Sequence, residues 1–168
     1  GSSRDKPDEE YCKEILEICK KRNAAYFYYI GGNDSANTCK IINEQAEAAG
    51  YNMRAFHVPK TIDNDLRTTD HCPGYGTAAK FVSCALRGDD LDNRALPGVK
   101  IDVIMGRDAG WLTAATTLGQ RRDDDGPHLV YVPERPVSIE KMVEDIKGVY
   151  NKIGRCVVAV RERIKNND

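Results

Sequence analysis

Apolar runs of strand length alternate with helix-length segments along the whole chain, and nearly every run stops at Gly or Pro. Residues 8–21 carry Tyr11 or Cys12, Ile15, Leu16 and Cys19 at spacings of three and four, the pattern of a one-sided helix. Residues 24–30 are a continuous apolar run ended by Gly31-Gly32, which predicts a short, fully buried strand. A helix capped by Asp34 or Ser35 follows, through Ile41, Ile42 and Ala46 to Gly50. Strands at 53–58, 99–105, 129–132 and 155–160, and helices at 75–86, 109–119 and from Ser138 to about residue 153, continue the alternation. That order predicts an α/β fold, Rossmann-like, with a parallel sheet flanked by helices and joined by right-handed crossovers. Composition shifts at the polar connection 87–98, so the chain divides into residues 4–90 and 91–168. Gly1-Ser2-Ser3, ahead of both, reads as the remnant of a cleaved tag.

Charge and composition exclude several partners. The chain has 25 basic and 26 acidic residues, a net charge of -1, and so lacks the broad basic surface that grips nucleic acid. No apolar run approaches the ~20 residues that span a bilayer. The six cysteines are spread without a Cys-x-x-Cys pair, which predicts reduced thiols in a cytoplasmic protein rather than a disulfide framework. His57, His71 and His128 are not spaced as a metal-ligand set.

Ligands of parallel sheets sit beyond the carboxyl ends of the strands, which directs attention to loops 31–35, 59–65, 106–110 and 133–136. Gly31-Gly32-Asn33-Asp34-Ser35 lets backbone approach a ligand closely, with a helix start behind it that attracts anions. The same residues also suit a plain tight turn. No Gly-Lys-Ser/Thr follows, so this is not a P-loop. Pro59-Lys60-Thr61-Ile62-Asp63-Asn64-Asp65 is more specific. It places a Lys, a carboxylate base and a possible metal ligand at one strand end. Phosphoryl transfer needs cations on the equatorial oxygens and a carboxylate for the attacking hydroxyl's proton.

These two loops, with Met105-Gly106-Arg107-Asp108-Ala109-Gly110-Trp111, resemble in order and spacing three signature loops of the phosphofructokinases. The stretch Thr69-Asp70-His71-Cys72-Pro73-Gly74-Tyr75-Gly76-Thr77-Ala78-Ala79 resembles the family's segment after the catalytic loop. The likeness runs from about Tyr26 to Glu162 and implies roles for single residues. Asp63 would be the base on the 1-hydroxyl of fructose 6-phosphate, with Lys60 and Asp34 beside it. Thr61 would position substrate, and Asp65 would hold Mg²⁺. Met105, Gly106, Arg107 and Glu162 would contact the sugar phosphate, and Gly31, Gly32 and Ser35 the donor phosphates. Residues 4–90 would be the donor side and 91–168 the sugar side. The resemblance also implies a homo-oligomer, with neither nucleic acid nor membrane as partner.

The donor follows from two positions. ATP-dependent members usually have Gly where this chain has Asp34, and a small residue where it has Lys60. Pyrophosphate-dependent members resemble this chain at both. A carboxylate facing the α-phosphate rejects ATP, and the ammonium stabilises the phosphoryl group in flight. ATP as donor stays open as the alternative, as does a non-catalytic α/β fragment.

Three departures stand out. The family's second carboxylate at position 33, assigned to Mg²⁺, is Asn33 here. Arg161 and Arg163 flank Glu162 where small residues are usual, which predicts a solvent-facing end. The family's first strand and its Gly-rich phosphate loop find no counterpart, so the likeness covers the middle of a subunit about twice as long. A truncated or engineered piece is therefore expected, and one that does not complete an active site alone.

Overall fold

The structure, a computed structural model, describes residues 7–162. Residues 1–3 and Arg163 lie outside that range. The order is α1 (Glu9–Lys21), β1 (Tyr26–Gly31), α2 (Asn33–Ala48), β2 (Arg54–Pro59), α3 (Tyr75–Ala95), β3 (Val99–Ile104), α4 (Trp111–Ala115) running into a 3-10 turn (Thr116–Gly119), β4 (Leu129–Tyr131), α5 (Ile139–Ile153) and β5 (Cys156–Arg161). Every strand pairing is parallel, as the alternation requires. The strands form two sheets, however, where one was expected: β1-β2 and β3-β5-β4.

Of the described residues, the first compact unit holds 7–61 and 66–68. Asp8 caps α1 by accepting the Tyr11 N–H at 2.8 Å, with Glu9 and Glu10 in the first turn and Lys20 and Lys21 in the last. Those charges complement the helix dipole. Cys12 and Leu16 of α1 join Ile42 and Ala46 of α2 and Met53 in one core. The β1-β2 sheet has only one covered face. Phe27 packs inward, whereas Tyr26, Tyr28 and Ile30 are exposed together with Phe56 and Val58. The prediction of a fully buried β1 is thus corrected. The aromatic residues partly shield one another, with Tyr28 and Phe56 stacked at 5.2 Å.

Of the described residues, the second unit holds 62–65 and 69–162. The division therefore falls in the segment after β2, not at residues 90 and 91. The reason lies in α3, which does not end near Leu86 but continues to Ala95. Its polar last turns have partners on other elements of this unit. Asp90 is buried against Arg155, Arg94 reaches Asp90, Asp124 and Asp125, and Lys100 on β3 reaches Asp89 and Asp92. The 121–125 segment, whose composition suggests a plain solvated run, instead clamps Arg94. β5 is central and buried along its length. Val157 and Ala159 pack with Ala79, Leu86, Ile104, Leu112 and Ala115. Ser138 caps α5 and Gly154, at φ 75°, ends it, as their residue types predict.

Candidate active site

In the first unit, register brings two of the candidate loops together. Gly31 pairs with Pro59 at the carboxyl ends of β1 and β2. The Lys60 N–H donates to the Gly31 carbonyl at 2.8 Å, and His57 Nε2 lies 2.8 Å from the same oxygen. Gly31, Gly32, Asn33, Asp34, Ser35, Lys60 and Thr61 therefore share one end of this sheet. The two glycines do different work. A Cβ on Gly31 would meet Ser35 Oγ at 2.0 Å, so this position admits no side chain. A Cβ on Gly32 would meet only ordinary contacts, Thr61 Cβ at 3.6 Å being the nearest. Gly32 is the N-cap of α2 and makes no side-chain cap bond. The expected cap at Asp34 or Ser35 is corrected, since both lie inside the first turn.

In the second unit, Asp63 and Asp65 flank Asn64 on one loop. Asn64 is buried in the left-handed region at φ 54°, a conformation Asn tolerates better than most residues. Its Oδ1 accepts the Cys72 N–H at 2.8 Å, and its Nδ2 donates to the Asp70 carbonyl at 3.3 Å. Ile62 packs against the core of the same unit. The loop is thus anchored on both sides of Asp63, while Asp63 and Asp65 stay half-buried. Sequence reasoning passed over Asn64; the signal was an Asn between two carboxylates in a turn.

The remaining candidates gather at the ends of β3 and β5. Gly106 adopts φ 134°, and a Cβ there would meet the Ala109 carbonyl oxygen at 2.6 Å, so the turn requires glycine. Met105 and Arg107 are exposed on either side of it. The Glu162 N–H donates to the Ile104 carbonyl at 3.1 Å, which sets Glu162 beside this loop. Two ties hold the loop. Glu134 Oε1 accepts the Gly110 N–H at 2.8 Å, and the Arg161 guanidinium donates to the Arg107 carbonyl. Arg161 is buried, not the solvent-facing residue expected. Trp111 does not fill the core as its type suggests; it is exposed, edge-on to Tyr75 at 6.5 Å.

Among the described residues, no three His, Cys, Asp or Glu side chains gather as a metal site. Asp65 in the second unit and Asn33 in the first each carry a hard oxygen donor of the type that suits Mg²⁺. No helix among the described residues is long and apolar enough to cross a membrane.

Comparison with known proteins follows the same lines. The chain is 55% identical over 164 residues to a pyrophosphate–fructose 6-phosphate 1-phosphotransferase of Rhodospirillum rubrum, covering 98% of this chain and 41% of the relative. A crystal structure of pyrophosphate-dependent phosphofructokinase from Nitrosospira multiformis matches with a TM-score of 0.86 at 35% identity, over 100% of this chain and 43% of that one. The corresponding enzyme from Marinobacter aquaeolei matches with a TM-score of 0.84 at 34% identity, over 99% of this chain and 43% of that one. The chain thus spans about two-fifths of the length of these relatives. The phosphofructokinase sequence profile matches residues 1–168, its whole length, and the chain belongs to the phosphofructokinase family.

Proposed function

We propose that this chain is the part of a phosphotransferase that moves a phosphoryl group from pyrophosphate to the 1-hydroxyl of fructose 6-phosphate. The observation that carries this reading is the pairing of Gly31 with Pro59. It sets the Asp34 turn and the Lys60 loop side by side, the two positions at which this chain resembles pyrophosphate-dependent rather than ATP-dependent members.

In this reading the Asp63 carboxylate takes the proton of the sugar's 1-hydroxyl as the bond to phosphorus forms. The Lys60 ammonium offsets charge on the phosphoryl oxygens. The Asp34 carboxylate excludes the additional phosphate and nucleoside of ATP, while Gly31, Gly32 and Ser35 present backbone and hydroxyl donors to pyrophosphate. Thr61 orients substrate. Arg107 offers a bidentate fork to the sugar phosphate, Met105 and Gly106 shape its bed, and Glu162 accepts from sugar hydroxyls. Asp65 would hold Mg²⁺, which when bound neutralises phosphate oxygens; Asn33 offers an oxygen donor of the same type. The donor loops belong to the first unit and the sugar loops to the second. Homo-oligomeric assembly and a cytoplasmic setting complete the proposal.

The test grafts the chain in place of the matching segment of the Rhodospirillum rubrum relative. Fructose 1,6-bisphosphate formation is then followed with pyrophosphate and Mg²⁺. Turnover is expected, and Asp63→Asn should lower it by ~10²–10⁴-fold with little change in KM for fructose 6-phosphate. An Asp63→Asn graft that keeps more than half the rate removes Asp63 from the base role. A graft faster with ATP overturns the donor assignment.

A further inference from the structure

The peptide that joins Gly31 to Gly32 has no Cβ on either side to restrict its rotation, so local sterics leave it free to flip. The fold holds it instead. Its carbonyl, on Gly31, accepts from two donors, the Lys60 N–H at 2.8 Å and His57 Nε2 at 2.8 Å. A carbonyl only accepts, so Nε2 carries the proton of this contact, in the neutral ring as in the cation. The Lys60 bond continues the β1-β2 ladder by one rung; the imidazole is an addition that no ladder requires. His57 lies on the half-buried face of β2 opposite Tyr29, two residues before Pro59, the partner of Gly31. The next peptide is held as well, because the Gly32 carbonyl accepts the Ala36 N–H at 3.0 Å. A peptide unit is planar, so fixing a carbonyl fixes the N–H on its opposite side. The Gly32 and Asn33 N–H groups are thereby kept in one arrangement at the start of α2.

We propose that His57 is a positioning residue for the phosphoryl donor: it locks the Gly31–Gly32 peptide, so that the turn meets pyrophosphate with its backbone donors already set. The ligand rests on the function proposed above; the lock does not. His57 acts through the turn and not on a reacting atom. It spares the ordering of a glycine pair at the moment the donor binds, which is how a preorganised loop gains affinity. Because the Lys60 N–H shares its acceptor, His57 also ties the turn to the loop that carries the Lys60 ammonium.

Two measurements test this on His57→Phe, which keeps a ring and loses the donor, and on His57→Gln, whose amide nitrogen reaches about as far as Nε2. In the 168-residue chain, the Lys60 amide hydrogen should exchange about three- to tenfold faster in His57→Phe, the loss of one hydrogen bond, while amides in α1 keep their rates. His57→Gln should return it to within about twofold. In the grafted enzyme, KM for pyrophosphate should rise about three- to tenfold in His57→Phe and recover in His57→Gln, with KM for fructose 6-phosphate within about twofold throughout. A general loss of stability would lower the amount of active enzyme and leave both KM values alone, so this split separates positioning from folding. If His57→Phe fails to fold, His57→Asn takes its place, its amide being one methylene too short to reach Gly31. Unchanged Lys60 exchange overturns the lock, and so does an equal acceleration throughout α1, which would make His57 a stabilising residue only. Faster Lys60 exchange with an unchanged KM for pyrophosphate overturns the donor role and leaves the proposed function standing. A wild-type graft that works with ATP and not with pyrophosphate sinks the proposed function and the ligand named here, while the exchange rates still decide the lock.

Discussion

His128 Nδ1 accepts the Val157 N–H at 2.9 Å, while the His128 N–H donates back to the Val157 carbonyl at 2.8 Å. The imidazole therefore completes the hydrogen bonding at the start of the central strand, and only with Nδ1 unprotonated. Burial, and then the Arg155 charge, push its pKa below the ordinary 6.5.

The unfolded chain consequently takes up the proton first as pH falls. His128 contributes its stability in full above about pH 6.5, and that contribution is lost as pH drops toward the lower folded value. Urea midpoints measured between pH 7.5 and 5 should fall with acidification. His128→Gln should flatten this part of the profile. A profile of unchanged slope in His128→Gln would assign the loss to other groups.

Asp90 is a second test of the same unit. Its carboxylate, 4% exposed, pairs with Arg155 and with Arg94. Asp90→Ala strands the buried Arg155 charge and should destabilise the unit by about 3–5 kcal/mol. Asp124→Ala, at an exposed carboxylate, should cost under about 1 kcal/mol. Equal urea midpoints for the two variants would contradict the ranking.

Gly31→Ala and Gly32→Ala should part company. The first drives a methyl into Ser35 and should destabilise the first unit by about 1–3 kcal/mol. The second meets only ordinary contacts and should stay within about 1 kcal/mol of wild type. Thermal melting of both variants, with Gly31→Ala/Ser35→Ala as partial rescue, checks the order.

Donor choice gives the fourth outcome. In the grafted enzyme, Asp34→Gly with Lys60→Gly should lower the pyrophosphate rate by about tenfold or more, since the proposed function assigns the Lys60 cation to the transferring group. The ATP rate should rise less, because removing repulsion does not create a nucleotide pocket. Steady-state rates with each donor read this directly. An undiminished pyrophosphate rate would dismiss both residues from donor selection.

The sequence was most legible where a signal is local. Gly31-Gly32 after an apolar run marks a strand end, and Ser138 marks a helix start. It was least legible where a residue's role depends on a distant partner. Residues 87–95 look like a loop because they are charged, yet Asp90 meets Arg155 across 65 positions and Arg94 meets Asp124 across 30. Arg161 looks like a surface residue for the same reason. Glu134 gave no signal beyond lying between two prolines, because its tie to Gly110 is made by the fold. The alternating exposure of β1 could not be read either, since an apolar run does not say how many of its faces are covered.

The in-step ending of β1 and β2 makes these two strands a ruler. Adding or deleting one residue within either would turn its side chains to the opposite face and offset one loop against the other by about 3.3 Å. Lengthening the turn that follows α2, where Gly50 has open space around it, would do neither. Across relatives and in engineered versions, changes of length should therefore collect around residues 49–52 and be excluded from 26–31 and 54–59. The spacing between those two strand ends is the quantity a redesign of this segment must hold fixed.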